Sequence, residues 1–145
     1  MRFSTNIIVN RPITKVFEFF RNPRNLRLWV KDLKQFKTQK GKRSKEGDTG
    51  ILVFEDKEGI LEVSEIIETY ERNERVVTQL SHKGMDSTIE VKFLDLGETT
   101  KILVKTQVKL KPWAANFFAL FMKGEMQRQQ EGDYRRLKKA LETGA

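Results

Sequence analysis

Between Leu33 and Lys111 the chain runs mostly in a two-residue period, and this limits its fold more than any other feature. In Ser87-Thr-Ile-Glu-Val-Lys-Phe93, the residues Ile89, Val91 and Phe93 share one parity and Glu90 and Lys92 the other. The stretch Lys101-Ile-Leu-Val-Lys-Thr-Gln-Val-Lys-Leu-Lys111 repeats the pattern, with Ile102, Val104, Thr106, Val108 and Leu110 opposite Lys101, Lys105, Gln107 and Lys109. Successive side chains of a strand point to opposite faces, so both stretches read as strands with one dry and one wet face. Turn signals at Asp56-Lys-Glu-Gly59, Lys83-Gly-Met-Asp86 and Gly97-Glu-Thr-Thr100 punctuate further strands near 34–40, 50–56, 59–69 and 75–82. Ser4 to Asn10, with Ile7, Ile8 and Val9, adds a first strand. Seven strands in antiparallel meander order are expected.

Helical periods flank this region. Ile13, Val16, Phe17 and Phe20 recur at i, i+3, i+4 and i+7, which predicts a short amphipathic helix with Pro12 at its first position. Asn22-Pro23 ends it and starts a second, with Asn22 as N-cap and Leu26, Trp29 and Val30 on one face. Pro112 to Glu142 reads as one long helix. Its first half is apolar nearly all round (Trp113, Phe117, Phe118, Leu120, Phe121, Met122), and its second is amphipathic through Met126, Tyr134, Leu137 and Leu141.

A chain of 145 residues is long enough for one domain, expected to span 1–145, with a core of its own. Cysteine is absent, which excludes disulfides, thiolate metal ligation and a catalytic thiol. The N-terminus lacks a signal-peptide apolar run, and no stretch approaches the ~20 apolar residues that span a bilayer, so a cytoplasmic protein is expected. His82 is the single histidine and reads as a surface residue at a strand end. Neither a metal site nor a cofactor is expected, since no glycine-rich phosphate cradle, serine elbow or His–Glu metal motif appears. The weak catalytic candidates are Glu62 and Glu65, in Ile60-Leu-Glu-Val-Ser-Glu65. They have opposite parity, so a regular strand turns at most one of them inward.

The net charge of +8 is unevenly distributed. Arg21 to Lys45 holds ten basic residues against Asp32, whereas Ile51 to Glu74 holds eight acids against Lys57 and Arg72. The first block is a candidate surface for an anionic membrane or RNA, with a plain solvated face as the bland alternative. Oligomeric state is not legible.

The order strand, two short helices, six strands and a long C-terminal helix is distinctive. With Ile8-Val-Asn-Arg-Pro-Ile-Thr-Lys-Val-Phe-Glu-Phe-Phe20, Asn22-Pro-Arg-Asn-Leu-Arg-Leu-Trp29, Glu46-Gly-Asp-Thr-Gly50 and Asp133-Tyr-Arg-Arg-Leu-Lys-Lys-Ala-Leu-Glu142, it resembles the START-like superfamily, also called the polyketide cyclase/dehydrase and lipid transport (SRPBCC) superfamily. The resemblance implies an α+β helix-grip fold, a seven-stranded antiparallel sheet wrapped around the long helix. It also implies an apolar cavity between them, with Trp29, Ile89, Val91, Phe93, Val104, Thr106, Val108, Phe117, Phe121, Met122 and Met126 as its candidate lining. The function it implies is binding or transport of a small hydrophobic ligand, such as a lipid, isoprenoid or polyketide-like compound. Two alternatives stand beside it: a cyclase/dehydrase-like enzyme using a buried acid, and an RNA-, ribosome- or protein-binding module using the basic face.

Overall fold

A computed structural model describes residues 1–114 and 122–144. Its elements are β1 (Arg2–Val9), α1 (Ile13–Arg21), a 3₁₀ turn (Pro23–Asn25), α2 (Leu26–Trp29), β2 (Leu33–Lys40), β3 (Thr49–Asp56), β4 (Gly59–Glu71), β5 (Arg75–His82), β6 (Met85–Asp95), β7 (Thr100–Leu110) and α3 (Met122–Glu142). All strands join one antiparallel sheet in the order β1-β7-β6-β5-β4-β3-β2. The meander follows from the short turns that join β3 through β7, with a longer loop, residues 41–48, between β2 and β3, and β1 closes onto β7 with Phe3 opposite Thr106 and Val9 opposite Thr100.

Burial follows the two-residue period. On β7, Thr100, Ile102, Val104, Thr106 and Val108 are buried, and on β6 Ser87, Val91 and Phe93 are. The register sets inward residues in rows across neighbouring strands: Val76, Val91 and Val104 form one row, and Thr78, Ile89 and Thr106 the next.

The helical ends differ from expectation in detail. Pro12 is extended (φ −69°, ψ 154°) and lies just outside α1, where its carbonyl accepts from Lys15 and Val16 N–H. Its fixed φ suits either position, but the ψ here leaves the helix to begin at Ile13. Asn22 caps as expected, its Oδ1 accepting from Arg24 N–H at 3.0 Å, although it opens a 3₁₀ turn rather than a continuous second helix.

Under α1 the aromatic core is dense. Phe93 packs edge-on to Phe17 and Phe20 with ring centroids 5.1 and 5.2 Å apart, and Phe17 meets Tyr70 at 5.5 Å. Each such pair adds about 0.5–1.5 kcal/mol beyond area burial. Polar bonds tie the C-terminal helix to β7, α2 and the loop after β1. Gln130 Nε2 donates to Thr106 Oγ1 (2.6 Å), Arg136 Nε to Trp29 O (3.1 Å), and Asn10 N–H to Glu142 Oε2 (2.7 Å). Leu137 and Leu141 carry its apolar stripe into the core.

Candidate functional site

The packing leaves a cavity of about 400 Å³ between the inner sheet face, α2 and α3. Leu52 and Phe54 of β3, Leu61 and Val63 of β4, and Val76 and Leu80 of β5 supply apolar wall. Met85, Ile89 and Val91 continue it along β6, while Phe20, Leu26 and Trp29 close the end under the short helices. Met126, Gln129, Gln130, Asp133 and Tyr134 line it from α3.

Of the residues expected at such a cavity, Trp29, Ile89, Val91, Thr106 and Met126 line it. Phe93, Val104 and Val108 do not. They face inward as their parity requires, but Phe93 is covered by Phe17 and Phe20, and Val104 and Val108 are sealed at 1% and 2% exposure. Parity assigns the face of a strand, and the helices above decide which part of that face stays open. Phe117, Phe121 and the side chain of Met122 lie outside the described residues. His82 does sit at the end of a strand, half-buried at the cavity wall.

The two acidic candidates separate. Glu62 is exposed on the outer face, 3.9 Å from Lys37 Nζ. Glu65 faces inward at 5% exposure and lines the cavity, yet both its oxygens are engaged by Arg43: Nε donates to Oε1 at 2.9 Å and Nη2 to Oε2 at 3.2 Å. The same guanidinium donates through Nη1 to the carbonyls of Phe20 (3.2 Å) and Arg21 (3.0 Å), at the negative end of α1. It also lies 5.7 Å from the Phe20 ring centroid and 5.8 Å from that of Phe36. Arg43 therefore corrects the expected basic face, because it is a buried strut rather than a surface cation. Arg21, Lys34 and Lys37 of the same block pair with Glu18, Glu55 and Glu62. Strand order explains the segregated charges, since basic β2 pairs with β3, and acidic β4 lies next beyond it, near enough for Lys37 to reach Glu62.

The loop carrying Arg43 is built around Asp48. Its buried carboxylate accepts N–H bonds from Lys42 (3.2 Å) and Ser44 (3.0 Å) through Oδ2. Gly41 has φ +75°, and a Cβ there would fall 2.0 Å from Asp48 Oδ1, so only glycine fits. Burial acts to raise the Asp48 pKa, and the N–H groups of Ser44, Lys42 and Lys45 outweigh it, leaving the carboxyl below its usual range. A depressed folded pKa gives stability that is complete above the unfolded value and lost as pH falls through the folded one. Urea unfolding across pH 7 to 3 is expected to show wild-type stability falling at the acid end, with Asp48→Asn less stable at pH 7 and less steep on acidification. Equal slopes for the two proteins would contradict this role.

Two further titratable groups on the wall escaped the sequence reading. Burial raises the Asp133 pKa, opposed by the Lys31 N–H bond (3.0 Å) and by the Arg136 guanidinium bonded to the same oxygen. Burial also raises the Tyr134 pKa far above its usual value, so the phenol stays protonated. Its ring packs 5.2 Å from that of Trp29, whose Nε1 is buried without a partner among the described residues. Met126, Gln130, Asp133 and Tyr134 recur at i, i+4, i+7 and i+8, a helical face that spacing alone marks. A second depression of about 590 Å³, around Arg2, Ser4, Thr88, Glu90 and Lys105, has polar walls instead.

Among the described residues no group of three or more His, Cys, Asp or Glu side chains is placed to hold a metal ion, and no helix is long and apolar enough to cross a membrane. The family model described as polyketide cyclase/dehydrase and lipid transport matches residues 1–142. The chain belongs to this family. No curated protein sequence matches it. Among solved structures, TTHA0849 from Thermus thermophilus superimposes with a TM-score of 0.80 at 14% identity, covering 100% of this chain and 99% of the other. Ara h 8.0201 follows at 0.79 and 11% identity, covering 99% of both. DynU16, a protein in the dynemicin biosynthetic locus, gives 0.75 at 16% identity, with 99% of this chain matched to 48% of that one. At these identities the likeness is one of fold, and it establishes the helix-grip architecture for this family member.

Proposed function

We propose that the protein binds and carries a small hydrophobic molecule in the cavity between the sheet and α3. The observation that carries this reading is the size and apolar character of that space: about 400 Å³, against the roughly 300–1,000 Å³ usual for small-molecule sites. The aliphatic and aromatic walls supply the driving force, about 25 cal/mol per Å² of apolar ligand surface removed from water. The family's inclusion of lipid transport supports the same reading. The cyclase-type alternative has less behind it, because Glu62 faces away from the cavity and Glu65 is held by Arg43. The basic-face alternative loses Arg43 to the interior and three more cations to ion pairs.

Native mass spectrometry of the purified protein, followed by organic extraction, tests the reading. The expected result is an extractable apolar compound bound one to one, or stoichiometric uptake of N-phenyl-1-naphthylamine by protein that emerges empty. Protein that emerges empty and takes up no such probe would contradict it.

A further inference from the structure

The apolar cavity is not uniformly apolar. Thr78 of β5, Ser87 of β6 and Thr106 of β7 all turn inward, at 7%, 7% and 4% exposure. The register places Thr78 and Thr106 on either side of Ile89, with Ser87 one row further along, opposite Leu80 and Val108. Diagonal neighbours on adjacent strands lie about 7–8 Å apart, so a ligand of modest size spans the group. From the facing wall comes the Tyr134 hydroxyl, on a side chain 5% exposed.

Thr106 Oγ1 accepts from Gln130 Nε2 and keeps its own proton free to donate. Thr78, Ser87 and Tyr134 line the cavity with hydroxyls that make none of the side-chain hydrogen bonds seen among the described residues, and on the same wall Trp29 Nε1 and Gln130 Oε1 are buried without a partner among them. Buried hydroxyls in native proteins are nearly always satisfied, and where the wall does not satisfy them the contents of the cavity must. The charged groups on the same wall are already committed. Arg43 and Glu65 engage one another bidentately, and Asp133 accepts from Lys31 N–H and Arg136.

We propose that the cavity selects neutral apolar molecules bearing hydroxyl or carbonyl oxygen, which Thr78, Ser87, Thr106 and Tyr134 hydrogen-bond, over pure hydrocarbons and over anions. The inference rests on the cavity being the ligand site and names the chemistry of its occupant. A hydrocarbon displaces the water on these hydroxyls without replacing its bonds, whereas an oxygenated ligand restores them. A carboxylate meets Arg43 already engaged by Glu65, and apart from the His82 imidazole at the end of β5 the described wall offers it only neutral donors, for which it must shed its hydration.

Competition against N-phenyl-1-naphthylamine at pH 7 with naphthalene, 2-naphthol and 2-naphthoate tests this on one ring system. The expected order is 2-naphthol tightest, by about tenfold over naphthalene, the worth of one good hydrogen bond. The naphthoate should be weaker than the naphthol. In Thr78→Val/Ser87→Ala/Tyr134→Phe the preference for naphthol over naphthalene should shrink toward one, with thermal unfolding confirming the fold; the single Thr78→Val, nearly isosteric, should reduce the ratio in the same direction. Equal binding of naphthalene and 2-naphthol by the wild type would overturn the oxygen-selective site while leaving the hydrophobic carrier intact, and so would tighter binding of naphthoate. Failure of every probe, the reporter included, would overturn both.

Discussion

Arg43→Met is expected to lower folding stability by about 3–5 kcal/mol, measured by urea unfolding at pH 7, because it leaves the Glu65 carboxylate buried without its partner. The size follows from what Arg43 does. It neutralises Glu65 through both carboxylate oxygens, supplies donors to two carbonyls at the end of α1, and packs its guanidinium near Phe20 and Phe36. These interactions hold Arg43 at φ 58°, a left-handed conformation that costs about 1–2 kcal/mol for a non-glycine residue. Against a total stability of about 5–15 kcal/mol for a domain, the loss leaves a marginal protein. Arg43→Met/Glu65→Leu should recover much of it, since apolar replacement of a whole buried pair is often neutral. If the single and double variants were equally destabilised, the penalty would not come from the orphaned carboxylate.

Ile89→Trp is expected to weaken binding of N-phenyl-1-naphthylamine by at least about tenfold, while leaving the protein folded. Ile89 lines the cavity in the row between Thr78 and Thr106, so an indole there takes up volume the ligand needs. Enlarging a side chain in a well-packed core costs about 1–3 kcal/mol through displaced neighbours. Here the extra atoms enter open space, so the thermal midpoint should stay within several degrees of the wild type. Fluorescence titration reads the first effect and a melting curve the second. Unchanged affinity in a folded Ile89→Trp protein would mean the probe binds elsewhere.

The strands were legible because alternation is local: Ile89 and Val91, or Val104 and Thr106, declare their face without reference to anything distant. Depth along that face was not, because it depends on where α1 and α2 come to rest. Phe93 and Ile89 have the same parity, but Phe17 and Phe20 cover one and leave the other open. The contributions of β3 to β5, such as Leu52, Val63 and Leu80, belong to the same cavity because the sheet curves around it, which periodicity on β6 and β7 alone does not convey. Arg43 was hidden in a basic run that reads as solvated loop. Its signal lay elsewhere, in Glu65, which shares parity with Val63 and the buried Ile67 and so needed a cation inside. On α3, the polar residues Gln130, Asp133 and Tyr134 follow the spacing begun by Met126, and their amphiphilic character concealed their place on the wall.

The most direct measurement is a crystal structure of the protein soaked with N-phenyl-1-naphthylamine. The account expects the probe's rings between the sheet and α3, against Ile89, Val91 and Met126, with its amine toward Thr78, Ser87 or Tyr134. A well-ordered crystal in which α3 lies down on the sheet, the cavity shrinks below about 100 Å³, far under the usual range for such sites, and the probe is absent from it, would contradict the account.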